Sequence, residues 1–181
     1  QAHRPVPQLL RILPRCWHDS HPFAGSEPPQ LPGRFKLLAA VSSWVGTELT
    51  YVRRSSGPTD GSVDTMLKRR GVCRDYAHLV IASLRAMDVP ARLASVYAPR
   101  LVPMDFHAVA EAAVGETRWV SDATLLAPRS SLVRICAGRD AGDTSFLSTY
   151  GGQVDPIDST VCATIDGDLP ADDVHQLVAL T

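Results

Sequence analysis

At residues 88–90, "DVP", the hydrophobic pattern of this chain changes period, and few sequence features restrict a fold more. Upstream, "RRGVCRDYAHLVIASLRAM" (residues 69–87) places Tyr76, Val80, Leu84 and Met87 at helical spacing, with Ala77 and Ile81 beside them. A stretch apolar over so much of its circumference reads as a buried central helix opening at Cys73. Downstream the period is two. "ARLASVYAP", "HAVAEAAV" and "TRWVSDAT" read as short antiparallel strands, and "SLVRICAG" and "DSTVCATI" as further ones. On the second of these, His107, Val109, Glu111 and Ala113 share one face. Helices followed by an antiparallel sheet make the fold class α+β.

The flanks fit that plan. "RFKLLAAVSSWVGTELTYV" carries Phe35, Leu38, Val41, Val45 and Leu49 at helical intervals, with Trp44 beside the stripe as a core residue. "RRSSGPTDGS" is turn-rich, and a short helix, "VDTMLKRR", should end at Gly71, a residue that tolerates a left-handed turn. Residues 1–33 hold seven of the 14 prolines and read as an extended arm, which leaves 34–181 for the domain itself.

Composition narrows the function classes. Apolar residues make up 45% and charged residues 20% of 181, and the formal net charge is −1, so no basic field invites nucleic acid. The arginine pairs at 53–54 and 69–70 read as solvated charge. No apolar run approaches the roughly 20 residues that would span a bilayer, and membrane partners are not expected. Cys16, Cys73, Cys136 and Cys162 are scattered without a CxxC pair, which argues against a disulfide framework and for a reducing, cytoplasmic setting.

Three residues carry candidate chemistry: Cys73 at a helix start, His107 opening one strand and Asp122 on the next. Unpaired N–H groups at a helix N-terminus favour a thiolate, a neighbouring histidine moves its proton, and a carboxylate fixes the histidine's tautomer. Other readings exist for the same residues. Cys73 serves as a small buried apolar group in one, and in another Cys73, His107 and Asp122 are zinc ligands. Against zinc, neither cysteine nor histidine recurs at metal-ligand spacing, so no metal or other cofactor is expected. Cys16, Cys136 and Cys162 read as buried structural thiols, and His78, five residues after Cys73, as structural at the back of the helix. Asp75 and Tyr76 either shape the site floor or, for Asp75, balance the helix dipole. Asp105 reads as a strand-entry residue, and His3, His18, His21 and His175 as incidental.

"GVCRDYAHLVIASLRAMDVPAR" resembles the nucleophile helix of the transglutaminase-like superfamily and its P-A-R turn into a strand. "DFHAVAEAAV" is similar to that family's histidine strand and "RWVSDATLLAP" to its aspartate strand. "VRICAGRDAGDTSFLSTYGG" resembles the tail of bacterial members and "SSWVGTELTYV" the helix before their cysteine loop, so that about residues 35 to 152 are covered. The resemblance implies a papain-like α+β fold and thiol acyl chemistry, with Cys73 as nucleophile, His107 as general base and acid, and Asp122 as orienting carboxylate. Substrates would be peptides, amides or other acyl donors, and acceptors water or an amine. A catalytically inactive binding module on the same fold is the alternative. The chain departs from the pattern at Val109, where an aromatic residue is common, at Ala123, where proline is, and at Asp88, where glycine is.

Overall fold

The computed structural model describes residues 33–149, 151–152 and 158–180. The element order is α1 (Gly33–Glu48), β1 (Thr50–Tyr51), α2 (Ser62–Lys68), β2 (Arg70–Gly71), α3 (Cys73–Ala86), β3 (Ala91–Tyr97), β4 (Phe106–Val114), β5 (Thr117–Ser121), a 3-10 turn (Arg129–Ser131) and β6 (Val133–Gly138). Four strands form an antiparallel sheet in the order β5-β4-β3-β6, with Leu93 opposite Ala110 and Val96 opposite His107. This is the mixed architecture of helices and antiparallel strands expected from the change of period.

Helix α3 packs on β3 and β4. Leu79, Val80 and Leu84 sit in one core with Leu93, Ala110 and Ala112, and the alanines of β4 let the helix lie close. Each fully buried leucine contributes about 1.5–3 kcal/mol. Val96, Val109 and Val120 build a second core with Leu132 and Leu180. Helix α3 stops where Asp88 takes up φ 57, in the place where glycine is usual, and the Val89 N–H closes back on the Leu84 carbonyl at 3.0 Å. Gly46 brings α1 against the turn after β5, since a Cβ there would lie 2.8 Å from the Ala123 carbonyl oxygen.

Several local expectations are corrected. Helix α1 ends at Glu48. Thr50 and Tyr51, β-branched and aromatic, instead pair in parallel with Arg70 and Gly71. The left-handed residue closing α2 is Arg69, at φ 50, and not Gly71. Gly71 is needed for space, because a Cβ there would come within 2.6 Å of the Asp75 Cβ. "DSTVCATI" forms no strand. The C-terminal segment covers the β5 edge further on, where the Val120 N–H donates to the Val178 carbonyl at 2.7 Å. The Arg129 guanidinium clamps Asp172 there, with Nη2 2.9 Å from Oδ1. Cys162 is exposed and Cys136 half-buried, so neither is the buried structural thiol expected. The proline-rich arm, Cys16, His3, His18 and His21 fall outside the described residues, apart from Gly33, which already belongs to α1. No helix among the described residues is long and apolar enough to cross a membrane.

Candidate active site

Cys73 is the first residue of α3, and the backbone sets it there. Val72 is extended (φ −108, ψ 178), and the Asp75 carboxylate reaches back to accept from the Val72 N–H at 2.8 Å. The other Asp75 oxygen accepts from the Ser56 hydroxyl at 2.7 Å. The Arg74 guanidinium donates to the Gly57 carbonyl at 2.6 Å, which ties the 53–61 loop to the same helix start. Asp75 therefore acts as the cap of α3 and not as site floor. The cysteine is half-buried.

His107 enters from β4, with only 1% of its surface exposed. Its Nε2 lies 2.8 Å from Asp122 Oδ2. The second Asp122 oxygen accepts from the Thr124 N–H at 2.9 Å and the Thr124 hydroxyl at 2.7 Å, so the carboxylate is held from both sides. Burial disfavours the imidazolium, yet the Asp122 charge and hydrogen bond outweigh it, and the Cys73 side chain adds to them. The His107 pKa is raised as a result. Burial pushes the Asp122 carboxyl up, but His107 and Thr124 more than offset this and hold it below the ordinary carboxylate range. With Nε2 spent on Asp122, Nδ1 is the ring atom left for the thiol; it is buried and has no hydrogen bond of ordinary geometry. All three sequence-predicted residues are thus brought together, with His107 bonded to Asp122 and influenced by the Cys73 side chain. A zinc ion needs its ligands to converge on one point. Among the described residues, no group of three or more histidines, cysteines or carboxylates is arranged to hold a metal.

The remaining candidates take structural places. His78 Nε2 accepts from the Ala141 N–H at 3.2 Å. Asp105 accepts from the Phe106 N–H at 2.7 Å, directly before β4. His175 lines a small cavity behind Asp122, together with Phe35, Ser42 and Arg129. Val109, at the position where an aromatic residue is common in the family, is core. Aromatic surface is supplied one residue before the histidine, where the Phe106 ring contacts Tyr97 at 6.0 Å and Phe146 at 4.9 Å. Tyr51 is a neighbour of Cys73 that the sequence did not single out. Its only signal there was a tyrosine just beyond a helical run, and the parallel pairing that brings it in has no local signature.

Residues 25–122 match the family model of the Transglutaminase-like superfamily, more than half of the chain and the span from upstream of α1 to Asp122. The chain belongs to this superfamily. A crystal structure from Cytophaga hutchinsonii, described as a candidate cysteine protease, is 34% identical with a TM-score of 0.66 over 82% of this chain and 49% of that one. An uncharacterized protein of Mycobacterium leprae is 33% identical over 82 residues, 45% of this chain and 26% of its own length. One from Mycobacterium tuberculosis is 38% identical over 72 residues, 39% of this chain and 23% of its own. The chain thus spans about a quarter of the length of these curated relatives and half of the Cytophaga protein. The α+β fold is that of the transglutaminase-like, papain-like group.

Proposed function

We propose that this protein is a thiol enzyme in which Cys73 attacks an amide or ester carbonyl and becomes transiently acylated. The observation that carries the reading is the buried His107 imidazole, with one nitrogen on Asp122 and the other left for the thiol at the start of α3. An imidazole that holds its proton tightly stabilises a thiolate beside it. The Cys73 sulfur then bonds to the carbonyl carbon, and the carbonyl electron pair moves onto oxygen. Backbone N–H groups, that of Cys73 first, stabilise the oxyanion. When it collapses, the carbon–nitrogen or carbon–oxygen bond breaks and His107 protonates the leaving amine or alcohol. Water or an amine, deprotonated by His107, next attacks the thioester and frees Cys73. Asp122 keeps the imidazole in one tautomer and orientation throughout.

Likeness to a candidate cysteine protease favours an amide donor, such as a peptide, over an ester. Transfer to water and transfer to an amine use the same first half-reaction, so acylation is the step to test. Intact-protein mass spectrometry after incubation with peptide, amide and ester donors should show one acyl mass on wild type and none on Cys73→Ala. An equal adduct on Cys73→Ala, or none on wild type with any donor, overturns the proposal.

A further inference from the structure

The first donor of the oxyanion hole is the backbone N–H of Cys73, and one donor leaves the developing charge half met. We propose that the Tyr51 hydroxyl is the second donor. The inference rests on the acyl-transfer reading above and deepens it.

The placement of Tyr51 is set by backbone. Tyr51 is the register partner of Gly71, two residues before the thiol. The Thr50 N–H donates to the Arg69 carbonyl and the Val52 N–H to the Gly71 carbonyl, both at 3.0 Å, so Tyr51 is pinned on both sides. Its ring leans on Tyr76 of α3 with centroids 6.0 Å apart, which orients it along the helix start. The phenol oxygen lies close enough to the Cys73 N–H to feel it as a donor. It therefore stands beside the N–H that the oxyanion must reach. Tyr76 cannot serve instead, because its hydroxyl is committed to the Leu49 carbonyl at 2.8 Å.

The chemistry suits the position. Burial, and next the Cys73 sulfur, push the Tyr51 pKa up, so the phenol keeps its proton at neutral pH. At rest the oxygen can accept from Cys73. When a carbonyl oxygen arrives between them, the hydroxyl can turn to donate to it while the N–H donates from the other side. No proton is transferred to the oxyanion. The sulfur–carbon bond forms, charge gathers on oxygen, and collapse expels the leaving group as in the ordinary step. A donor aimed where charge develops lowers the barrier to that step and leaves other reactions of the thiol alone.

The test separates carbonyl chemistry from thiol reactivity. Acylation by p-nitrophenyl acetate passes through an oxyanion and releases p-nitrophenolate. Alkylation by iodoacetamide displaces iodide and passes through none. Tyr51→Phe removes one oxygen and keeps the ring on Tyr76. In that variant, acylation of Cys73 should slow by about 10²–10³-fold, the loss usual for one oxyanion donor. Alkylation of Cys73, followed by site-resolved mass spectrometry, should keep its wild-type rate. Unchanged acylation overturns the role. A loss of both rates together, with or without a fall in melting temperature, means that Tyr51 only positions the helix start, and also overturns it. A wild type that is alkylated on Cys73 but never acylated refutes the acyl-transfer reading itself, and this role falls with it.

Discussion

Strand β4 buries two polar side chains four residues apart on the same face, His107 and Glu111, at 1% and 0% exposure. Their partners differ. Glu111 accepts from the Arg92 Nε at 2.7 Å through one oxygen and from Arg134 through the other. Arg134 also reaches the Leu180 carbonyl, so the cluster ties β4 to its neighbour β3, to β6 and to the C-terminal segment. Every strong acceptor of that carboxylate is used. His107 is bonded firmly on one nitrogen, and its other nitrogen lacks an ordinary partner. Burial on the same strand thus goes with a carboxylate paired through both oxygens in one place and an imidazole with one nitrogen left open in the other. What sets His107 apart from Glu111 is the hydrogen bonding of its own side chain and not its burial.

The comparison breaks most directly by removing each side chain in turn. His107→Ala should lower turnover of the donor that acylates Cys73 by about 10²–10⁴-fold, the usual worth of a general acid–base. Glu111→Gln should leave turnover per folded molecule unchanged. Steady-state kinetics on variants of checked fold decide it. Full activity in His107→Ala, or a folded but dead Glu111→Gln, would reverse the roles of the two sites.

Asp122→Asn should be milder than the roughly 10⁴-fold loss seen for the same change in a serine triad, because a thiolate–imidazolium pair stabilises itself. It also carries a signature in pH. The folded His107 pKa is raised above its unfolded value, so the stability it contributes is complete below about pH 6.5 and is lost as pH rises through the folded value. Asp122 is depressed, and its contribution is complete above about pH 3.8 and lost as pH falls through its folded value. The gap in unfolding free energy between wild type and Asp122→Asn should therefore be widest between about pH 4 and 6.5. Urea titrations at pH 6 and pH 9 should show it narrowing, and a gap that widened toward pH 9 would contradict the charged pair.

Glu111→Gln should act on stability. Removing one partner of a buried ion pair costs about 3–5 kcal/mol, and this is an upper bound because the Arg92 and Arg134 side chains are 34% and 30% exposed. A urea midpoint unchanged from wild type would show that the cluster is ornamental to folding. The smallest effect is expected from His78→Ala, which loses one acceptor for the Ala141 N–H, worth about 0.5–1.5 kcal/mol, and leaves turnover intact. A dead His78→Ala that melts normally would mean that Cys73 works with the other histidine.

Much of this protein was written in local pattern. The 3.6-residue period placed α3 and its start at Cys73, and the change after Asp88 announced the sheet, because amphipathic period depends only on a segment's own residues. Alternation put His107 and Glu111 on one face of β4, and motif order singled out Cys73, His107 and Asp122. Only the tertiary structure decided what each of these meets. The two-residue parallel pairing that carries Tyr51 to the helix start joins positions 20 residues apart and leaves no mark in either segment. "DSTVCATI" has strand-like residues but pairs with no strand, and at the β5 edge it is Val178 that accepts from the Val120 N–H. Glu111 and His107 look alike in sequence. Their difference arises from which side chains of other elements, Arg134 of β6 and Asp122 beyond β5, the fold brings within hydrogen-bond reach. Periodicity is a property of one segment, whereas a partner is a property of the packed chain.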